Sequence, residues 1–393
     1  MENSIAGKSE VSLFQCKDYN FDLVRKSLHL SIEALGGMDK FVKSGQKVLI
    51  KPNLLIGRSP DKAVNTHYSV VKTVMEMVAD CGGKLVVGDS PSFGSAQMAA
   101  KRCGIFDVAK IFNAPVITFK DSRVVCAGEN ALFHQLSLAV DALESDVVIN
   151  LPKLKTHAFM TMTLGIKNLF GCVVGMEKSK WHLKAGQDPR AFARMLVEIQ
   201  ACVAPALTIM DGVIGMEGNG PGSGDPRRIG VILAASDTVA LDRVIMEIVD
   251  VSSERLPVLQ AAAELGAGKT EMSDIEIIGD SLSSVRVKGF KLPEPSFPLR
   301  RLFPKSAQKF IKRAFTNEPA FNHQLCTRCG TCAKICPPQV ISFQKLSKPD
   351  KKGYDTRLIV DRSKCIHCFC CQEVCPEGAI TVRRGFFNFR SSD

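Results

Sequence analysis

The sequence predicts an α/β protein, a mostly parallel sheet covered by helices, followed by a small C-terminal α+β domain. Three observations carry that prediction. From residue 47 to about 289, β-branched apolar runs alternate with stretches of helical periodicity, as parallel strands joined by crossover helices do. Pro293, Pro295, Pro298 and Pro304 then interrupt the pattern. Beyond them, two cysteine-rich stretches, 326–343 and 365–382, superpose without a gap. The chain of 393 residues thus divides into an α/β domain over 1–290, a linker over 291–318 and a small domain over 319–385.

Taken in order, residues 47–51 form a buried-type strand that ends in Pro52 and Asn53. Val70, Val71, Val74, Met75 and Val78 share one helical face over 68–81, stopped by Gly82 and Gly83. A strand over 84–88 runs into Asp89, Ser90 and Pro91, and the helix that follows ends near Gly104. A strand over 116–119 and an amphipathic stretch over 132–143 lead to the strand at 146–151. A helix over 190–203 precedes a strand over 206–210, which delivers Asp211 to a glycine-rich loop reaching Arg227. A strand over 229–235, a helix over 238–249 and a last strand over 275–278 complete the domain. In the linker, 305–315 places apolar residues on one helical face and Lys305, Lys309, Lys312 and Arg313 on the other, a pattern that suits domain docking or an anionic membrane surface.

Open parallel sheets bind ligands beyond the carboxyl ends of their strands. Lys51 and Asn53 follow the first predicted strand, and Asp89 and Ser90 follow the second. Lys153, Lys155 and His157, then Lys167 and Asn168, follow the strand at 146–151. Lysines at such an edge hold a carboxylate or phosphate, and a histidine there exchanges protons. The candidate catalytic residues are His157, Lys167 and Lys155. The candidate substrate-binding residues are Lys51, Asn53, Asp89, Ser90, Lys153, Asn168 and Asp211. Asp211 and Glu217 read as an acid–base pair, a metal site or lid caps. Trp181 and His182 read as residues closing over the site, although a lone tryptophan is ordinarily core. No Walker or GxGxxG pattern is present, so nucleotide binding has no specific support.

In the small domain, Cys326, Cys329 and Cys332 are followed by Cys336-Pro337, and Cys365, Cys368 and Cys371 by Cys375-Pro376. Three thiolates at two-residue gaps wrap one face of an iron–sulfur cube, and the fourth cysteine turns away to the second cube. This is the wiring of a ferredoxin-like domain with two 4Fe-4S clusters. Crossed ligation gives one cluster Cys326, Cys329, Cys332 and Cys375, and the other Cys365, Cys368, Cys371 and Cys336. Structural zinc sites close with paired cysteines and fit this spacing poorly. Cys370 falls between ligands and reads as a spectator packed beside the cube.

Residues 288–393 carry 20 Lys and Arg against 8 Asp and Glu, so the net charge of +11 belongs to the C-terminal segment. Cationic side chains there offset the roughly two negative charges of each ligated cube and steer an acidic redox partner protein. Nucleic acid is a less specific reading of the same charge. No apolar run reaches the 18 or so residues of a membrane span, and the first residues lack the basic start and apolar core of a secretory signal. Cytoplasmic placement follows, with peripheral membrane contact through the basic helix as the remaining membrane option.

At Lys51-Pro52-Asn53, Gly88-Asp89-Ser90, the segment from Pro152 to His157, Gly165-Ile166-Lys167-Asn168 and Asp211-Gly212, the chain resembles the family known as domain of unknown function 362, many members of which carry a ferredoxin unit. That resemblance implies an iron–sulfur protein whose larger domain holds a site, and no particular reaction. His157, Lys167 and His182 are also similar in order and spacing to the cofactor-holding residues of the lactate-racemase family. That likeness implies a nickel-pincer nucleotide on Lys167, but Gly165-Ile166 stands where that family has a glycine pair. The expected function is electron transfer through two clusters to an anionic small molecule in the α/β domain, an iron–sulfur oxidoreductase. The alternatives are a non-catalytic electron carrier or metallocofactor assembly factor, and a nickel-pincer-type enzyme.

Overall fold

The computed structural model describes residues 7–128, 131–186, 188–293, 317–350 and 352–383. The basic helix expected over 305–315 lies outside them. In chain order the strands of the large domain are β1 (Ser9–Gln15), β2 (Lys47–Pro52), β3 (Lys84–Asp89), β4 (Val116–Thr118), β5 (Ser122–Cys126), β6 (Gln135–Ala139), β7 (Val147–Leu151), β8 (Lys153–His157), β9 (Thr161–Thr163), β10 (Leu207–Glu217), β11 (Asp225–Ala235) and β12 (Ile275–Gly279). The small domain holds β13 (Glu318–Phe321), β14 (Ile341–Lys345), β15 (Thr356–Val360) and β16 (Ile380–Arg383).

The main sheet runs in the order β12-β1-β11-β10-β7-β2-β3-β4. From β10 to β4 every neighbour is parallel, and β11 is antiparallel to both β10 and β1. Side chains alternate across it. Val48, Ile50, Val87 and Ile149 pack with the helices Phe21–Glu33 and Tyr68–Asp80. Leu49, Val148, Met210 and Leu233 pack with Pro189–Val203 and Thr238–Ile248 on the opposite face. Both faces are therefore dry, which is why the parallel strands read as unbroken apolar runs. Side-chain caps fix helix starts: Asn20 Oδ1 accepts the Asp22 N–H at 3.0 Å, and Asp237 Oδ1 accepts the Val239 N–H at 2.9 Å.

Three sequence expectations change. The glycine-rich segment after Asp211 is not a loop; β10 and β11 form a long antiparallel hairpin whose turn is confined to 218–224. Gly212 and Gly215 serve close strand packing, since a Cβ would lie 2.9 Å from Val231 and from Leu154 respectively. The segment expected to be amphipathic over 132–143 is mostly the strand β6, paired with β5 and followed by one helical turn at Val140–Leu143. Residues 153–157, expected as a loop, form β8, which runs beside the extended β10 and pairs with β9. The strand β1 and the helix Phe21–Glu33 went unread in the sequence.

Candidate functional site

The carboxyl ends of β2 and β3 place Lys51 beside Asp89, with Nζ 3.0 Å from Oδ1. Asp89 also accepts the N–H groups of Leu54 and Ser90, each at 2.8 Å. The pair is closed from above by Gly171, where a Cβ would come within 2.1 Å of Asp89 Oδ1 and 2.5 Å of Lys51 Nζ. An amide chain continues the layer: Asn53 Nδ2 donates to Asn168 Oδ1 at 2.8 Å, and Asn168 Nδ2 donates to Asn150 Oδ1 at 2.8 Å. The turn Gly165–Asn168, which carries Lys167, is anchored by Asp242, whose carboxylate accepts the N–H groups of Gly165 and Ile166 at 2.7 and 3.0 Å.

Over this floor lies a cavity of about 680 Å³ including its mouth, lined among others by Asn53, Asp89, Ser90, Lys155, His157, Lys167, Asn168, Lys178 and His182. Lys155 Nζ donates to Asn53 Oδ1 and to Val64 O, each at 2.7 Å, and burial brings its pKa down to about 7. Lys178 donates to the Ser90 carbonyl, and burial lowers its pKa to about 8. Lys167 is pushed down by burial as well; its Nζ lies 5.2 Å and 6.0 Å from the Phe170 and Phe192 ring centroids. His182 stacks on Phe192 at 4.5 Å, and burial lowers its pKa to about 3.

His157 Nδ1 accepts the N–H groups of Phe159 and Met160 at 3.1 and 3.2 Å, which puts the ring proton on Nε2. Nε2 lies 2.8 Å from Oε1 of Glu373, a residue of the small domain. The angles there are not those of a formed hydrogen bond, so both atoms, like His182 Nδ1, stay open to a third group. Burial, then Lys167, lowers the His157 pKa to about 4. Burial alone would raise Glu373, but its neighbours His157, Lys167 and His182 outweigh it and keep the carboxyl ionised.

Glu373 arrives on the short helix Cys370–Glu373. That helix is docked by Gln372 Nε2, which donates to Asn219 Oδ1 at 2.7 Å, while Arg58 Nη2 donates to the Cys375 carbonyl at 3.1 Å. Two further cavities lie inside the small domain. One is lined by Cys326, Cys329, Cys332 and Cys375, and the other by Cys336, Cys365, Cys368 and Cys371. Cys370 lines neither; it packs against the quartet residue Cys368, beside the second quartet as expected, and also forms part of the wall of the lysine cavity. Among the described residues no three His, Cys, Asp or Glu converge on a point that would hold a single ion.

The structure separates two expected site residues from the rest. Lys153 and Asp211 lie on β8 and β10, outside the cavity lining, with Nζ 3.0 Å from Oδ2. Asp211 also accepts from Tyr19 Oη at 2.6 Å and from the His67 N–H at 2.8 Å. With that shell complete the pair cross-links the sheet, and the substrate-binding reading of Lys153 and Asp211 is withdrawn. Lys51 sits beneath the lining, engaged by Asp89. Glu217 accepts the Lys291 N–H at 3.1 Å and makes no acid–base pair with Asp211. Trp181 is core, edge-on to Phe133. Glu373 and Lys178 were missed, because neither follows a strand: Glu373 lies between Cys371 and Cys375 in the cluster motif, and Lys178 sits in no motif.

Fold and cysteine pattern together define an α/β protein fused to an iron–sulfur domain, and a profile described as 4Fe-4S dicluster domain matches residues 325–379. The chain belongs to the family described as Domain of unknown function (DUF362), whose profile matches residues 48–247. A thylakoid-associated protein of Synechocystis sp. is 40% identical over 312 residues, covering 79% of this chain and 96% of that protein. Among solved structures, the lactate racemase apoprotein of Thermoanaerobacterium thermosaccharolyticum aligns over 61% of this chain and 56% of its own, with 13% identity and a TM-score of 0.41. A likeness of that size carries no argument about chemistry. No helix among the described residues is long and apolar enough to cross a membrane.

Proposed function

We propose that this protein passes single electrons between an external redox partner protein and a small anionic molecule held in the lysine cavity. One observation carries the reading: Cys370 and Glu373, which flank the quartet residue Cys371, and Ile335, which precedes Cys336, form the wall of that cavity. The donor sets fit two 4Fe-4S clusters, because each quartet lines a cavity of its own with an almost wholly apolar lining. Cys326, Cys329, Cys332 and Cys375 would hold one cluster, and Cys336, Cys365, Cys368 and Cys371 the other. Bound clusters supply one-electron chemistry.

The remaining roles belong to side chains. Cys329 is exposed, so the first quartet faces the side where a partner docks, and the basic surplus of this domain steers an acidic one. The second quartet adjoins the cavity. Lys155 and Lys167, with Asn53, Asn168 and Ser90, bind and orient the anion. A histidine held neutral down to about pH 4 is a weak proton source, so His157 offers its Nε2–H as a fixed hydrogen bond. Lys155, with a pKa near 7, is the better matched acid. No disulfide joins any of the fifteen cysteines among the described residues, as suits a reducing compartment such as the cytoplasm. The thylakoid association in the relative's name makes a membrane surface a natural meeting place with the partner.

The test is anaerobic purification, iron, sulfide and nickel analysis, EPR after reduction, and mass spectrometry of released ligands and intact chain. Reoxidation of the reduced protein by the released ligand, lost in Lys155→Ala with the EPR signal unchanged, is the expected result. Reoxidation by a partner protein alone, at equal rates in both, would make the α/β domain a docking module. Nickel with a mass addition on Lys167 would replace the reading with pincer chemistry.

A further inference from the structure

We propose that the cavity is built for a small dianion, a molecule such as a dicarboxylate or a phosphate that presents two negative charges to Lys155, Lys167 and Lys178. This deepens the electron-transfer reading by naming its substrate class, and it rests on the same cavity.

Lys155, Lys167 and Lys178 are all at least nine-tenths buried. Among the described residues none of them has a carboxylate within ion-pairing distance: Lys155 donates to an amide oxygen and a carbonyl, Lys178 to a carbonyl, and Lys167 faces two aromatic rings. Of the two carboxylates in the lining, Asp89 is consumed by Lys51, and Glu373 balances one lysine. With all three lysines protonated, two positive charges are left over. Uncompensated buried ammonium groups are strongly unfavourable, so a site that keeps them is completed by an anion of matching charge. A neutral ligand would leave both charges unanswered, and a monoanion would leave one.

Buried donors point the same way. His157 Nε2 carries the ring proton and makes no hydrogen bond, and His182 Nδ1 lacks a partner. The Asn53 and Asn168 amides are locked to each other and to Asn150, which fixes the floor against which the ligand rests. Lysines bind such groups as point charges and accept either carboxylate or phosphate, so the shared chemistry is the pair of negative charges.

The experiment is calorimetric titration of the reconstituted full-length holoprotein, kept anaerobic at pH 7 and constant ionic strength. The probes are oxalate, malonate, succinate, inorganic phosphate, acetate and succinamide. We expect at least one dianion to bind about 100-fold more tightly than acetate, and succinamide not to bind; each added charge-assisted contact is worth on the order of tenfold. The carboxylate and phosphate arms decide which source of charge the site takes. Lys178→Gln should weaken the dianion about tenfold or more and acetate much less, whereas the exposed control Lys62→Gln should change neither. The inference is overturned if no dianion binds more tightly than acetate, a result that needs no variant. It is also overturned if a Lys178→Gln protein with native iron content binds the dianion unchanged. Dianion binding without electron transfer would sink the redox reading and leave this one standing; cluster reduction with no preference for dianions would do the reverse.

Discussion

His157 Nε2 and Glu373 Oε1 meet at 2.8 Å, although 216 positions separate them in the chain and they belong to different domains. Both are buried, and Glu373 is, with Asp89, one of two carboxylates that line the cavity. Glu373→Ala should lower stability by about 1–3 kcal/mol, the cost of leaving buried positive charge, Lys167 included, without its carboxylate. Iron content should stay unchanged, since no thiol is removed. Anaerobic denaturant unfolding with iron analysis reads both.

The Lys153–Asp211 pair makes a contrasting prediction. Asp211→Ala leaves a buried ammonium unpaired and strips the partner from Tyr19, so it should cost about 3–5 kcal/mol. Affinity for an anion in the lysine cavity should hold in the fraction that folds. A selective loss of affinity at native stability would return Asp211 to the site.

Gly171→Ala tests how tightly the cavity floor is closed. The added methyl would overlap Asp89 Oδ1 and Lys51 Nζ, two groups with nowhere to move inside a buried pair. Destabilisation of about 1–3 kcal/mol, the usual range for overpacking, is expected. Thermal unfolding measures it.

Crossed ligation is separable by spectroscopy. Cys336→Ala should abolish the cluster beside the lysine cavity, although Cys336 belongs to the first cysteine run in sequence. Cys375→Ala should abolish the other. EPR of the two reduced variants should therefore retain different signals. Reoxidation by a cavity ligand should be lost with Cys336→Ala. Identical residual spectra would contradict the crossing.

Acid should destabilise the protein through its buried histidines, partly offset by Asp242, whose carboxyl burial raises to about 7. His67, His157 and His182 have pKa values lowered from 6.5 to about 4, 4 and 3, in each case chiefly by burial. Between pH 6.5 and those values these three rings bind more protons in the unfolded chain than in the folded one, so their contribution to stability rises with pH. It is lost as pH falls through that window. His182→Phe, which keeps the stack on Phe192, should flatten the slope between pH 6.5 and 3 in anaerobic unfolding titrations.

The sheet was legible where both faces of a strand are dry: β2, β3 and β7 are continuous apolar runs, and their ends were read within a residue or two. It was misread at β10 and β11, because glycines that permit close packing look the same in sequence as glycines that permit turns. The cavity's Lys155, His157, Lys167 and Asn168 could be found because they follow a buried strand in one dense polar stretch. Glu373 could not, since its place depends on how a separate domain docks. Lys178 was hidden among Glu177, Lys180 and Lys184, which are solvated on the same short helix.

The docking of the helix Cys370–Glu373 means that the cysteine-bearing segment is not an interchangeable module. Grafting on a foreign ferredoxin would restore two quartets of sulfur but remove a wall and a counter-charge from the chamber next door. Fusion and domain-swap variants of this chain should therefore inherit redox colour more readily than ligand selectivity.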